Sequence, residues 1–260
     1  MKDLWGKIAI ALAILAATAL TLVAAAWGAQ PVSVSTGNIE LRVNGGFVPK
    51  RVSRTVPAPA TLAISTSVRT VDGSQPPALE QLTYELDRNS AIDVRGLPVC
   101  HPKVQYQATA GVEALCEDAI VGAGTMNVRI AFPEEAPIIL RSKMLLFNGG
   151  IENGVTPLYA RAYIDLPTPA AIVSTIAIKK VRDGRFGTEM AISLPKIAGG
   201  SGSVTDFSAT LSRNPPGRKE TASVVTLKCP DGKIRTSVDA SFADGTLVRA
   251  GLVRPCLPAD

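Results

Sequence analysis

Apolar side chains recur at every second position in many short segments of this chain. In one of them, Leu62, Ile64 and Val68 lie on one side of an extended chain, opposite Ser65 and Ser67. Because alternate side chains of a strand point to opposite faces, this period predicts a strand with one buried and one solvated face. Strands of this kind form antiparallel sheets. Further candidate strands lie at residues 39–43, 82–86, 126–132, 138–147, 158–164, 172–181, 188–194 and 204–211.

Turn signals separate the candidate strands. Asp183-Gly184, Asp231-Gly232 and Asp244-Gly245 each lie between two of them. Asp-Gly favours a tight hairpin, because both central residues of the preferred turn need a positive φ. The strands and turns together predict an all-β, mainly antiparallel fold, which is a β-sandwich or curled barrel with about a dozen strands.

One segment has the period of a helix. Thr109 suits its N-cap position, and Gly122 suits the left-handed residue that follows a helix. Counted from Val112, apolar residues follow three, four, seven and eight positions later, at Leu115, Cys116, Ala119 and Ile120. The spacing predicts one short helix that carries a cysteine on its apolar face.

The start of the chain has the pattern of an export signal. Lys2 and Lys7 precede an uncharged run from Ile8 to Gln30, and the small residues Ala24, Ala26 and Gly28 suit cleavage before Trp27 or before Ala29. A basic start, an apolar run and small residues are typical of a secretory signal. The run is also long enough to cross a bilayer without being cleaved. Residues 1–28 are therefore predicted to be a signal peptide or an N-terminal membrane anchor.

The remaining chain is expected outside the cytoplasm under either interpretation, secreted or anchored at the outer face of the cytoplasmic membrane. Small polar residues at 29–38 predict a linker, and residues 39–260 are long enough for one large β-sandwich domain. The alternative is that residues 39–260 form two lobes, 39–150 and 155–260, which a glycine-rich segment separates.

The chain contains four cysteines: Cys100, Cys116, Cys229 and Cys256. An even number of cysteines in an exported chain indicates disulfides. Among the three pairings, Cys100–Cys116 and Cys229–Cys256 are favoured, because each closes a short local loop. The first pair would staple the predicted helix to the preceding strand. A zinc site assisted by His101 is the alternative, although the spacing contains no paired Cys-x-x-Cys knuckle.

The charge balance limits the classes of partner. The formal net charge of +5 falls to +4 without residues 1–26, which hold two lysines and one aspartate. A net charge this small, with charged residues dispersed along the chain, argues against a nucleic-acid partner. Basic clusters at predicted turns, such as Lys50-Arg51 and Lys179-Lys180, predict contact with an anionic envelope polymer or a membrane surface. Residues 8–28 would add membrane contact if they are not cleaved.

Residues for catalysis are sparse in the sequence. The only histidine, His101, lies in a predicted loop. Ser201 lies in Gly-Gly-Ser-Gly-Ser, which lacks the final glycine of a nucleophile elbow and does not join a strand to a helix. The carboxylates of Glu134-Glu135 point to opposite strand faces, and those of Glu85 and Asp87 lie on a solvated face. We predict no catalytic, cofactor-binding or metal-binding residue and no cofactor.

One strand offers a candidate binding surface. Tyr159, Arg161 and Tyr163 share a face with Asp165, opposite a row of apolar residues. Exposed tyrosines and an arginine can stack on sugars and pair with anions. These three residues are the predicted binding surface, with a solvated strand face and its cross-strand aromatic pairs as the alternative.

Several phrases of the sequence together resemble those of a known group of proteins. They are Asp72-Gly-Ser-Gln-Pro-Pro-Ala-Leu, Gly96-Leu-Pro-Val-Cys, Ala119-Ile-Val-Gly-Ala-Gly, Pro167-Thr-Pro and Pro195-Lys-Ile-Ala-Gly-Gly-Ser-Gly-Ser. With these phrases the chain resembles a group of exported, uncharacterised actinobacterial proteins over most of residues 40–256. The resemblance implies export and a shared β fold, and it implies no activity.

The sequence therefore predicts an exported structural or binding module of the cell envelope without enzymatic activity. A secreted hydrolase with an unrecognised carboxylate or serine site is the alternative. The two differ in an observable way, because a hydrolase needs a cleft in which polar side chains converge.

Overall fold

A computed structural model of the protein describes residues 30–101, 111–164, 170–212 and 224–259. The chain from Pro31 onward forms one compact unit. The export signal predicted at residues 1–28 lies outside the described residues. No helix among the described residues has the length and the apolar character that crossing a membrane requires.

Strands make up most of the described chain. The sixteen strands of the described residues are β1 (Val32–Thr36), β2 (Ile39–Val48), β3 (Arg51–Ser53), β4 (Ala58–Thr70), β5 (Leu79–Asp87), β6 (Ser90–Ile92), β7 (Ile120–Phe132), β8 (Glu135–Asn148), β9 (Val155–Ile164), β10 (Ala170–Asp183), β11 (Phe186–Ser193), β12 (Gly202–Leu211), β13 (Val225–Leu227), β14 (Lys233–Phe242), β15 (Leu247–Pro255) and β16 (Leu257–Ala259). The one α-helix in the same residues is α1 (Val112–Leu115).

The strands form one large antiparallel sheet. Its order is β1-β2-β4-β12-β7-β8-β9-β10-β11-β5-β14-β15, and the short β13 and β6 attach beside β4. A second sheet pairs β16 with β3 in parallel. The predicted all-β, mainly antiparallel fold is confirmed. The two halves of the chain share the large sheet, because β5 lies between β11 and β14, and β12 lies between β4 and β7.

The sheet folds over so that its ends approach and its inner face forms the core. The last strand, β15, packs beside β1 and β2. Its burial alternates strictly, with Val248, Ala250, Leu252 and Arg254 inside. Arg254 Nε donates a hydrogen bond to the carbonyl oxygen of Gly45 on β2 at 2.6 Å. This bond links the last strand of the sheet to the second one, although the two strands share no ladder.

The segment expected to be a linker at residues 29–38 contains β1. This strand pairs with β2 through Thr36 opposite Ile39, so the turn between them is tight. Val32 and Val34 are half-buried and pack against the main core. These two apolar side chains stabilise the strand, although the small polar residues around them suggested a flexible connection.

The Asp-Gly signals mark turns, and two of the three are hairpins. Gly184 joins β10 to β11 and Gly245 joins β14 to β15, and both pairs are antiparallel neighbours. Asp231-Gly232 is different, because β13 pairs with β4 and β6 and not with β14. The Asp231 carboxylate accepts a hydrogen bond from the Lys233 backbone at 3.1 Å, which is a local turn that needs no hairpin.

The predicted helix is shorter than its spacing indicated. It spans Val112–Leu115 and continues as a 3₁₀ turn at Glu117–Ala119, and β7 begins directly afterwards. Leu115 is 72% exposed, so it does not belong to the buried face. Gly122 lies inside β7, where a side chain would collide with the carbonyl oxygen of Thr210 on β12. Thr109, the expected N-cap, lies outside the described residues.

Both predicted disulfides are present. Cys100 bonds to Cys116 with a Cα–Cα distance of 5.5 Å, and Cys229 bonds to Cys256 with one of 6.1 Å. The first bond joins Cys100, in the loop that follows β6, to Cys116 at the end of α1, so it links the helical turn to a loop and not to the strand that was expected. All four cysteines are bonded, so none remains as a zinc ligand.

Candidate functional site

The predicted binding surface on β9 is brought together by the structure but is not an open face. Tyr159 is 8% exposed and Arg161 is 3% exposed, while Tyr163 is half-buried. The opposite face of β9, with Ala160 and Ala162, is buried in the main core. Because β9 is covered on both sides, the expectation of a solvated tyrosine stripe differs from what the structure shows.

The first disulfide and the residues that follow it pack on this side of the sheet. Cys100, Cys116 and Ala119 form a small second core with Phe147 on β8. Phe147 lies directly opposite Tyr159 in the ladder between β8 and β9. The alternating pattern of β9 thus identified two faces correctly, but α1 and its disulfide bury the face that looked solvated.

Arg161 is held beneath this cover. Its guanidinium carbon lies 5.3 Å from the centre of the Tyr163 ring. Burial lowers the pKa of Arg161, and the nearby carboxylate of Glu113 on α1 opposes this shift. The arrangement is that of a buried cation supporting the covering segment, so it does not provide a surface for a ligand.

The side chains weighed for catalysis do not converge in the described residues. His101 is exposed. The Ser201 hydroxyl donates a hydrogen bond to the carbonyl oxygen of Ala198 at 2.7 Å, within a short 3₁₀ turn. The described residues contain no group of three or more His, Cys, Asp or Glu side chains arranged to hold a metal ion.

The carboxylate of Asp87 has a structural role. It is 1% exposed, although the sequence pattern had placed it on a solvated face. One oxygen accepts hydrogen bonds from the backbone and side chain of Asn89, and the other accepts one from the backbone of Arg235. Its hydrogen-bonding capacity is used by the turn after β5 and by β14, which explains its burial.

A row of polar residues crosses the outer face of five neighbouring strands. Ladder partners connect Arg42 on β2 with Ser67 on β4, and Ser67 with Asp206 on β12. Asp206 continues to Asn127 on β7, and Asn127 to Arg141 on β8. The row therefore begins and ends at an arginine and has a carboxylate at its centre.

Two depressions lie on either side of this row. One encloses about 440 Å³ beside Arg42, and the other encloses about 290 Å³ beside Arg141. Both are lined by Asn127 and Asp206, so they adjoin at the centre of the row. We call this feature the polar groove.

A second row of polar residues lines one side of the polar groove. Asn44, Ser65 and Ser208 lie next to one another on β2, β4 and β12, followed by Thr125 on β7 and Lys143 on β8. The hydroxyl groups of Thr125 and Ser208 are 2.8 Å apart and hydrogen-bonded. This side of the groove therefore offers hydroxyl and amide groups that can both donate and accept hydrogen bonds.

The central carboxylate is fixed in place by its neighbours. Asp206 Oδ2 accepts hydrogen bonds from Asn127 Nδ2 at 3.2 Å and from Thr205 Oγ1 at 3.0 Å. The ladder between β7 and β12 shifts between Val204 and Asp206, which is the position of a bulge. Bulges redirect side chains out of the regular alternation. Here Thr205 and Asp206 both line the groove.

Four arginines surround the polar groove. Arg42 Nε donates to Ser33 Oγ at 3.2 Å, and Arg129 donates to the carbonyl oxygens of Gly73 and Ser74. The side chains of Arg69 and Arg141 are exposed, and their guanidinium groups form no hydrogen bond or ion pair with the described part of the chain. A guanidinium group presents several N–H donors in a planar fork that matches carboxylate and phosphate groups.

The charge of the groove is positive. The basic side chains at its edges are Arg42, Arg69, Arg129, Arg141 and Lys143. The acidic ones are Asp206 inside it and Glu40, which lies opposite Arg69 in the ladder between β2 and β4. The excess of cations favours an anionic ligand, and the carboxylate gives one position a preference for a hydroxyl or amine donor.

Sequence reasoning identified the solvated faces of the strands in the groove but not the groove. Ser65 and Ser67 were correctly placed opposite the core. The groove depends on the order β2-β4-β12-β7-β8, in which strands distant in sequence become neighbours. An alternating strand pattern contains no information about that order.

No protein-family model matches the sequence, and no curated protein matches it. The fold and the polar groove thus define the chain as a disulfide-bonded antiparallel β protein, and its function has to be argued from the groove.

Proposed function

We propose that this protein is an exported, non-enzymatic binding module of the cell envelope, and that its polar groove binds an anionic polysaccharide. The observation that supports this proposal is the row that links Arg42 to Arg141 through hydroxyl, carboxylate and amide side chains. Arginines recognise the acidic groups of a polymer, and the groups between them can hydrogen-bond to sugar hydroxyls.

The length of the row favours a polymer over a single sugar. Arg42 and Arg141 are separated by four strand-to-strand steps, which correspond to about 19 Å at about 4.8 Å a step. A ligand that contacts both arginines must extend across the whole width of β4, β12 and β7. The two depressions adjoin at Asn127 and Asp206, near the middle of this path.

Two features support an envelope location. Both cysteine pairs form disulfides, and stable disulfides are typical of oxidising compartments outside the cytoplasm. The sequence pattern of residues 1–28 is that of an export signal or anchor. Anionic polymers are abundant at such locations, and a positive groove increases their local concentration through long-range attraction.

Binding to a defined polyanion tests the proposal. The exported, disulfide-bonded protein is titrated with alginate, with uncharged dextran of similar length and with phosphatidylglycerol vesicles. We expect binding to alginate, none to dextran, and weakening with salt because exposed charges are screened. Binding to the vesicles alone would contradict the proposal and favour a membrane surface as the partner.

Matched variants locate the binding site. Arg42→Gln combined with Arg141→Gln removes two charges from the groove. Arg88→Gln combined with Lys233→Gln removes two exposed charges elsewhere. A charged hydrogen bond contributes about 1.5–3 kcal/mol, so the groove variant should bind alginate at least about tenfold more weakly. An equal loss in both double variants would show that overall charge, and not the groove, determines binding.

A further inference from the structure

A second cavity, distinct from the polar groove, opens at the edge of the core beside the β7–β8 hairpin. It encloses about 340 Å³. The ladder between β8 and β9 ends at Met144 and Ala162, so the part of β8 before Met144 is not paired with β9. Its lining includes Ile130, Leu140, Ile164, Ala170, Lys196 and Ile197.

The walls of this cavity belong to the core. Leu140, Ile164 and Ile197 are half-buried and pack against the main apolar cluster. Ile138 lies on the same side of β8 as Leu140, is paired with Ile130 on β7 and is 41% exposed. The apolar interior therefore continues to the surface here, where a ligand could remove it from water.

The chemistry of the lining selects the ligand. Nine of the ten lining residues have aliphatic side chains, and the tenth is Lys196, which is exposed. A sugar or nucleotide would lose its hydrogen bonds to water in such a cavity without replacing them. An aromatic ligand would find no aromatic partner for stacking in this lining. A flexible aliphatic chain can fill the cavity, and the ammonium group of Lys196 favours an anion at its end.

We propose that this cavity binds the acyl chain of an anionic amphiphile, with the acidic head group beside Lys196. The volume lies near the lower end of the range for small-molecule sites, about 300–1,000 Å³, and suits one acyl chain. The site is on the inner side of β8 and the polar groove on its outer side, because Leu140 and Arg141 are adjacent residues with opposite orientations. The two sites can thus be tested independently.

Chain length is the first test. The complete, disulfide-bonded protein is titrated with octanoate, decanoate and dodecanoate below their micelle concentrations. Burial of a methylene contributes about 0.8 kcal/mol, so each added methylene should lower the dissociation constant by about fourfold until the cavity is full. Dissociation constants that do not change with chain length would overturn the proposal.

Head-group charge is the second test. Dodecanoate should bind more tightly than dodecyltrimethylammonium, which has the same chain and the opposite charge. Lys196→Glu should remove this preference, and Lys233→Glu, an exposed charge change on β14, should retain it. Equal binding of both amphiphiles to the unmodified protein would show that Lys196 does not select the charge of the head group, and would overturn the assignment of the head group.

A filled cavity is the third test. Ala170 is exposed and lies on the same side of β10 as Ile172, so Ala170→Trp places a large side chain at the cavity mouth. We expect at least a tenfold loss of dodecanoate binding with an unchanged thermal midpoint. Leu140→Asn, which makes the wall polar, should reduce binding as well. If both variants bind dodecanoate like the unmodified protein, the chain is not bound in this cavity.

An experiment with lipid vesicles distinguishes the two possible sources of the acyl chain, a membrane lipid and a free fatty acid. Phosphatidylglycerol vesicles and soluble dodecanoate are offered to the unmodified protein and to Ala170→Trp. Competition between the two ligands, lost in the variant, would show that a lipid supplies the chain. Binding of dodecanoate without competition would assign the site to free fatty acids. Binding of neither ligand would overturn the proposal.

Discussion

The phenolic oxygen of Tyr84 and the hydroxyl oxygen of Thr66 are hydrogen-bonded inside the core, 2.5 Å apart. Tyr84 lies on β5 and Thr66 on β4, which are not neighbours in the sheet. The two side chains are 0% and 4% exposed. This bond therefore connects opposite walls of the folded sheet, and each hydroxyl gives the other a partner that water cannot supply.

Removing both partners of this pair should destabilise the protein by less than the sum of the two single losses. Tyr84→Phe leaves the buried hydroxyl of Thr66 without its partner, and such a loss costs about 1–3 kcal/mol. Thr66→Val should have a similar effect. In the double variant no unpaired hydroxyl remains, so its loss of unfolding free energy should be smaller than the sum of the two single losses. Urea unfolding of all four proteins measures this coupling, and strictly additive losses would contradict it.

The same tyrosine predicts how stability changes at high pH. Burial raises the pKa of Tyr84 well above the usual tyrosine value of about 10, and the hydrogen bond with Thr66 opposes this only in part. Because the folded-state pKa is the higher one, the unfolded chain loses its proton first. The stabilisation is complete below about pH 10 and is lost as the pH rises toward the folded-state pKa.

Alkaline unfolding measures this effect through a difference. Above about pH 10 the unfolding free energy of the unmodified protein should fall relative to that of Tyr84→Phe by up to about 1.4 kcal/mol per pH unit. Other groups titrate in the same range, but they are common to both proteins and cancel in the difference. A difference that stays constant from pH 8 to pH 11.5 would show that Tyr84 ionises equally in the folded and unfolded states.

Local sequence patterns predicted the strands of this fold, but contacts between distant parts of the chain determined which of their faces are buried. The alternation in β15 and β4 is visible in sequence because each strand has one face in the core. The burial of Arg161 is not, because it depends on α1, which the Cys100–Cys116 bond attaches from another part of the chain. The cysteine pairing itself was predictable, since both bonds close short loops.

The helix was overestimated for a related reason. Its helical spacing is real for Val112 and Cys116, which are buried, but Leu115 faces solvent. A single helical turn has little intrinsic stability, so the covalent bond and the second core define the segment more than its period does. The polar groove required the strand order, which no residue pattern encodes.

The Cys100–Cys116 bond should protect β9 in particular. In the chain-entropy model a loop of this size contributes about 3 kcal/mol, so Cys100→Ser combined with Cys116→Ser should lower the unfolding free energy by about that amount. With the covering segment released, the β9 amides near Tyr159 should exchange hydrogen faster. Cys229→Ser combined with Cys256→Ser should cost a similar free energy without this local change. Equal exchange at β9 in both variants would contradict the covering role.

The approach of β7 to β12 requires a residue without a side chain. A Cβ atom at Gly124 would collide with the carbonyl oxygen of Ser208, which is backbone and cannot turn away. Gly124→Ala should therefore shift one strand against the other and lower the unfolding free energy by about 1–3 kcal/mol.

Gly251 on β15 is the matched control for this substitution. A Cβ atom there would meet nothing within 4 Å, and its φ is not positive. Gly251→Ala should therefore change the unfolding free energy by no more than about 0.5 kcal/mol. Since Ser208 lines the polar groove, Gly124→Ala should also weaken alginate binding, while Gly251→Ala leaves it unchanged. Equal stability of the two variants would show that the close contact between β7 and β12 relaxes without cost.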